Sequence, residues 1–342
     1  MKRVEQWKAM IRAGWVGLLA AGLALGTTVS GWAKEETPSA PQTPEAPSAS
    51  PTPDAPEQTS PSPKETSPEK TTSEKRVLRY KFQPGETIRW EVTHQANIRT
   101  TVSGVSQTAE SVSQSVKVWK VLQVQQDGAA VFEHRVESVQ MWQKLTGRQE
   151  VRYNSQTDKD PPPGFQTIAK SIGVPLAKIT LSPEGKILHR QRTAAAASQD
   201  QNDSPITMPL PTEPVAVGDS WSDIFELDVP LETGAIRKVK TKQMFRLLNV
   251  QDDIAVIEAS SQILTPNLPP EIEAKIIQQQ SAGKIRFDIQ RGRVVEQQID
   301  VDKRVVGFRG EASSLHCMSR FHEKLLDSPQ TARRSPDDAS QK

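Results

Sequence analysis

Cysteine is nearly absent from this chain, and neither sign of charge prevails. The single thiol, Cys317, excludes an intrachain disulfide, so cross-links do not stand in for a hydrophobic core. It reads as a small, partly buried apolar side chain. Lys and Arg total 43 against 41 for Asp and Glu, and a balance of +2 supplies no long-range field for drawing in nucleic acid, so no nucleic-acid partner is expected. No Gly-x-Ser-x-Gly elbow, Gly-x-x-x-x-Gly-Lys loop or Gly-x-Gly-x-x-Gly turn occurs, which removes the commonest serine-hydrolase and nucleotide-enzyme chemistries.

What is present begins with export. Residues 1–33 have the three parts of a secretory signal: Lys2, Arg3, Lys8 and Arg12, then an Ala/Gly/Leu run, then Gly31-Trp32-Ala33 with small residues at the two cleavage-specifying positions. Cleavage after Ala33 is the expectation, giving a periplasmic, cell-surface or secreted protein. The 21 residues between Arg12 and Lys34 carry no charge, a length that at ~1.5 Å per residue also suits an uncleaved anchor over residues 13–33. That run has no cysteine, which speaks against a lipid anchor. Residues 34–75 are rich in Pro, Ser, Thr, Glu and Ala without one aromatic or large aliphatic side chain, and read as a disordered tether. Its prolines hold it extended, with a reach on the order of 100 Å at ~3.1 Å per residue. Residues 328–342 read as a second disordered tail.

Between them, about 250 residues suffice for one β domain. Leu78, Tyr80 and Phe82 alternate with Arg79 and Lys81, the period of a half-buried strand; Ile88, Trp90 and Val92, and later Ile285, Phe287 and Ile289, follow the same rule. Asp127-Gly128 and Pro183-Glu184-Gly185 read as hairpin turns. One order of events happens twice. Pro84-Gly85-Glu86 and Val217-Gly218-Asp219 open the two passes, and a strand–turn–strand follows each, 118–133 in the first and 244–258 in the second. A proline-led amphipathic stretch comes next, 163–172 and 269–277, and a hairpin closes each pass, 178–187 and 284–294. Four features in one order across more than a hundred residues imply a duplicated unit. The halves span 76–192 and 206–327, joined by 193–205. The expected fold is mainly β: two related curved antiparallel sheets forming an open barrel or cup, one short helix per half, with any binding site where the halves meet.

No catalytic residue, cofactor ligand or metal ligand is assigned. Of the histidines His94, His134, His189, His316 and His322, none has metal spacing. His322-Glu323 begins like a zinc-protease helix but lacks the second histidine, and on a strand His316 and His322 share a face that Cys317 points away from. His134 reads as a satisfied core histidine. Asp219, Asp223, Asp252, Asp253, Asp300 and Asp302 read as turn and solvated-face acids, with a carboxylate pair for hydrolysis as the rival reading. Arg237, Lys238, Lys240 and Lys242 form a basic run that suits either an anionic surface or a solvated strand face that discourages edge pairing. Trp90, Trp119, Trp142 and Trp221 read as core or cross-strand packing, or as a pocket lining.

Pro84-Gly85-Glu86-Thr87-Ile88-Arg89-Trp90, Val217-Gly218-Asp219-Ser220-Trp221 and Gly283-Lys284-Ile285-Arg286-Phe287-Asp288 resemble a group of exported bacterial proteins of unknown function with a duplicated β-rich domain, over about residues 77–326. More distantly, the layout is similar to the incomplete barrel of periplasmic lipoprotein carriers. The export signal, the tether and the absence of catalytic motifs point to a non-enzymatic binding or carrier domain of the cell envelope, with an apolar ligand or an envelope protein as partner. A structural or interaction module is the alternative, and a carboxylate-dependent hydrolase comes behind both. Intact-mass measurement of protein recovered from an exporting host is expected to find a chain beginning at Lys34; a chain retaining Met1 in the membrane fraction would establish the anchor instead.

Overall fold

The computed structural model describes residues 74–193, 206–231 and 233–326. The expected signal, nearly all of the tether, the connector and the tail lie outside the described residues. The fold is mainly β. Its strands are β1 (Thr87–Val102), β2 (Val105–Val124), β3 (Ala130–Leu145), β4 (Val151–Asn154), β5 (Pro175–Leu181), β6 (Ile187–Arg192), β7 (Ser220–Pro230), β8 (Ile236–Gln251), β9 (Ile254–Ile263), β10 (Ala282–Asp288), β11 (Arg293–Val306) and β12 (Ser313–Leu326). Two short helices, α1 (Gln166–Ser171) and α2 (Pro270–Lys275), stand where the two proline-led stretches were expected, the second with proline at its first turn.

The two expected sheets are joined as one. Its order is β6-β5-β3-β2-β1-β12-β11-β10-β9-β8-β7, with β4 added beside β3. Neighbours are antiparallel throughout, and the sheet does not close, so β6 and β7 are its edges. β12 supplies the joint, pairing with β1 on one side and β11 on the other.

Element order and register recur between β1–β6 and β7–β11. The Gly85 amide and the Val121 carbonyl are bonded as are the Gly218 amide and the Leu247 carbonyl. Val121 in turn donates to Glu86, and Leu247 to Asp219. Bulges fall at Leu122 in β2 and at Leu248 in β8, and at Leu188 in β6 and Val295 in β11. In this register Trp221 occupies the place of Ile88, opposite Phe245 as Ile88 is opposite Trp119, and Asp223 the place of Trp90.

Residues 78–82, expected as a strand, are extended but pair with none. Their amides go elsewhere: Tyr80 donates to Pro183 in the β5–β6 turn and Lys81 to Gly292 in the β10–β11 turn. On a flat sheet those turns lie six strand spacings apart, ~29 Å. Two consecutive amides reach both only because the sheet is rolled. The alternation still sorts the side chains, with Leu78 and Tyr80 buried, and Tyr80 packs edge-on against Phe287 at 5.4 Å while Phe82 stacks on Phe132 at 6.2 Å. Arg79, pointing outward, pairs with Glu184 at 3.1 Å and donates to the Pro211 and Thr212 carbonyls.

Glycine in each turn makes this approach possible. A Cβ on Gly185 would stand 2.6 Å from the Tyr80 ring, and one on Gly292 would stand 2.5 Å from the Lys81 nitrogen; both residues also have positive φ. Gly104 has the same positive φ but open space around it. Gly104→Ala is expected to cost about 1 kcal/mol in urea unfolding, whereas Gly185→Ala and Gly292→Ala each cost roughly 2–4 kcal/mol because overlap adds to conformational strain. Equal costs at all three positions would count against residues 78–82 as the clasp of the roll.

Candidate binding stripe on the inner face

Across the joint, the inward side chains form a stripe three strands wide. Along β1 it runs Trp90, Val92, His94, Ala96 and Ile98; along β2, their partners Lys117, Ser115, Ser113, Ser111 and Ala109; along β12, Leu325, Glu323, Phe321, Ser319 and Cys317. Its chemistry changes along its length from charged and aromatic, through small and polar, to apolar.

At the charged end, the Lys117 ammonium donates to Glu323 at 2.6 Å across β1, with side chains only 14% and 5% exposed. The ammonium also lies 4.6 Å from the Trp90 ring centre and 5.1 Å from that of Trp119. Gln297 donates to the second Glu323 oxygen at 3.2 Å. Such a pair offsets its desolvation only when each charge is fully engaged, and losing one partner strands the other at a cost of ~3–5 kcal/mol. Tyr80, Phe82, Ile206 and Thr207 close the space beside the pair, leaving about 10 Å³, room for about one water. Burial pushes the Tyr80 phenol far up, with the Glu323 charge adding to it, so Tyr80 stays protonated, donating to the Met208 carbonyl at 3.0 Å and accepting from Thr207. The joint is thus filled, with no chamber of ligand size at this end of the stripe among the described residues.

The middle of the stripe differs. Ser111, Ser113, Ser115 and His94 are all buried, yet none of the three hydroxyls has a hydrogen bond within the described residues, and His94 Nδ1 is buried without a partner. Burial holds the His94 imidazole below its ordinary pKa, so it is neutral. Meanwhile Val112 and Val116, the valines that flank Ser113 and Ser115, point the other way and stay partly exposed. In the second half the places of His94, Ala96 and Ser113 are apolar, while that of Ser115 is Thr241, whose hydroxyl is buried without a partner among the described residues. Leu227 and Val239 stand opposite one another as His94 and Ser113 do, Val229 takes the place of Ala96, and Ile272 and Ile276 from around α2 pack on them. In the first half α1 sits elsewhere, over Val136, Val139, Met141 and Tyr153 of β3 and β4. The polar band is left out of that cluster.

Other candidate residues are engaged in the frame. Asp219 accepts the Ala216 amide at 2.9 Å. Asp252 and Asp253 form the β8–β9 turn at positive φ, as Asp commonly does. Asp300 accepts from Arg320 at 2.8 Å, which holds its carboxyl below the usual range, and Asp302 meets His316 at 2.6 Å. His322 bonds Glu296 at 3.1 Å on the outer face, while Cys317 is fully buried on the inner one, its thiol pushed up to about 11 by burial. Among the described residues no three metal-ligating side chains converge. His189 lies on edge strand β6 and is exposed. In the basic run Lys238 pairs with Glu226 at 3.4 Å and Asp228 at 3.7 Å on β7, the solvated-face arrangement; Arg237 and Lys240 are exposed beside it, with Lys242 partly so. Trp142 donates to Glu150 on the outer face and Trp221 to the Pro209 carbonyl, while Trp119 Nε1 is buried without a partner. Only Trp90 and Trp119 line the space at the joint.

No protein-family model and no curated protein matches the sequence. Among solved structures, one of lipovitellin, described for its lipid–protein interactions, aligns over 72% of this chain and 26% of its own, at 12% identity and a TM-score of 0.39. This chain therefore spans about a quarter of that protein. DynF from the dynemicin biosynthesis pathway of Micromonospora chersina aligns over 74% of this chain and 87% of its own, at 8% identity and a TM-score of 0.21. A putative outer-membrane lipoprotein-sorting domain from Vibrio parahaemolyticus covers 68% and 85%, at 9% identity and 0.13. At such scores none of the three says what this chain does.

His134 was expected to be satisfied in the core, but its Nδ1 is buried without a partner. Burial, with the Lys117 and Arg190 cations adding to it, pushes the imidazole from 6.5 down to about 3. The fold accepts only the neutral ring. Stability is therefore full above pH 6.5 and falls as pH drops toward 3, because the unfolded chain alone takes up the proton. His134→Leu is expected to remove one proton's slope, about 1.4 kcal/mol per pH unit, from the unfolding free energy across that window. An unchanged slope in urea titrations against pH would show that His134 is not the buried titrating group.

Proposed function

We propose that the chain is a non-enzymatic binding domain of the cell envelope, built from two copies of one ancestral unit, exported by residues 1–33 and held off by the tether at 34–75. Its ligand is a small amphipathic molecule lying along the inner stripe of the first copy. The observation that supports this is the contrast between the two halves at matching positions. Leu227, Val229 and Val239 are packed by Ile272 and Ile276, whereas His94, Ala96 and Ser113 are small or polar, and His94 Nδ1 is buried without a hydrogen-bond partner among the described residues. Buried polar groups need water or a ligand, since each left bare costs roughly 1–3 kcal/mol. A polar patch of that kind, where Leu227 and Val239 of the other half show that the places of His94 and Ser113 can be apolar, is a place where stability has been set aside for binding.

The stripe suggests how the ligand lies. Hydrogen-bonding groups would meet the three serines and His94, an apolar body would run toward Ala109, Ile98 and Cys317, and the Lys117–Glu323 pair bounds the other end. Non-denaturing mass spectrometry of the full-length chain recovered from an exporting host is expected to find a retained small molecule, released on denaturation. Ser113→Phe fills the band from its centre and is expected to abolish the retained mass while leaving the β-type circular dichroism intact. No retained species in the native chain, or equal retention by the variant, would overturn the reading.

A further inference from the structure

The two copies also differ at an edge. β1 and β7 occupy the same place in their halves, yet β1 carries β12 along its outer side from Arg89 to Val102, whereas β7 has no strand beside it among the described residues. Its inward side chains are Trp221, Asp223, Phe225, Leu227 and Val229. Leu227 and Val229 are buried, while Ile224, pointing outward, is 56% exposed. β7 holds three carboxylates, Asp223, Glu226 and Asp228, and no lysine or arginine.

Asp223 identifies what would sit there. Its counterpart pair in the first half is Trp90 opposite Lys117, and the Lys117 cation is completed by Glu323 from the strand added to β1. In the second half the pair is Asp223 opposite Gln243; Asp223 has no ion-pair partner among the described residues, and Gln243 Oε1 is buried without a hydrogen bond. Charge and acceptor both call for a cation arriving from the open side. An inward acid on an edge strand also repels apolar strands in general, which makes the edge selective rather than merely sticky.

We propose that the β7 edge docks an extended segment of a partner protein, paired antiparallel as β12 is with β1, with apolar residues facing inward and one Lys or Arg placed against Asp223. Backbone pairing supplies the affinity of such strand addition and the inward side chains supply the choice of partner. A second copy of this chain fits less well. In a sheet antiparallel throughout, β6 and β7 run in the same direction, so a copy continuing the sheet with the same face inward would pair in parallel. A two-fold β7–β7 pair would bring together two strands that each hold three carboxylates and no lysine or arginine.

The test uses the full chain and two short fluorescein-labelled peptides of alternating valine and threonine, one with lysine and one with glutamate at its central inward position. The lysine peptide is expected to bind by anisotropy and to protect β7 amides from hydrogen exchange. Asp223→Lys is expected to weaken it roughly tenfold or more and to admit the glutamate peptide. Failure of the lysine peptide to bind, equal binding of both peptides, or no effect of Asp223→Lys would overturn the proposal. So would a dimer by light scattering with β7 already protected, which would assign the edge to a second copy. None of these outcomes bears on the inner stripe, whose ligand is read by mass.

Discussion

Two neighbouring amides set the shape of this domain. Tyr80 and Lys81 reach turns that a flat sheet would hold ~29 Å apart. A twelve-stranded antiparallel sheet has no intrinsic reason to stop at one curvature. The clasp supplies that reason, because its hydrogen bonds exist only in the rolled form. It is anchored from both sides, by Arg79 on Glu184 and by Lys81 on the Ile289 and Gln290 carbonyls, and the Tyr80 ring packs against Phe287 in the interior. The inner face, the filled joint and the polar band all follow from that roll.

The roll also explains why an ion pair stands in the interior. Lys117 and Glu323 lie on strands separated by β1, and they meet because their side chains lean over Val92 and Trp90 on the concave side. Dispersion and aromatic packing would have filled this space with less desolvation cost. The pair ties β2 to β12 across the joint between the halves, and its geometry is completed by Gln297 from β11 and by two indole rings. Specifying that register is a role apolar residues could not perform, since they pack in many registers equally well.

The alternation of large apolar residues located most strands, and the two proline-led stretches located both helices. The closing hairpins were legible because Gly185 and Gly292 mark them, although their reason for being glycine lies in residues more than a hundred positions away. Other features were not legible, for two physical reasons. Residues 78–82 alternate as a strand does, and periodicity reports which side is buried, not what the backbone bonds to. In β2 the pattern misleads outright: Val112 and Val116 imply an inward face, yet the serines between them are the buried ones. Lys117 and Glu323 are charged residues on strands, and their burial depends on a curvature that no local pattern encodes.

Comparison within the chain carries the functional reading further than comparison with other proteins. Where two halves share register and hydrogen bonds, a difference at matching positions cannot be ascribed to that shared frame. Leu227 against His94 and Val239 against Ser113 mark places on the inner face that are apolar in one half and polar in the other. Asp223 against Trp90 marks an edge that carries β12 in one half and no strand among the described residues in the other. On the inner face the first half is the less apolar at these two places, while at the edge the second half lacks a neighbouring strand among the described residues. Each of these differences costs packing or pairing and neither relieves the other, which is the ground for reading both surfaces as places of binding.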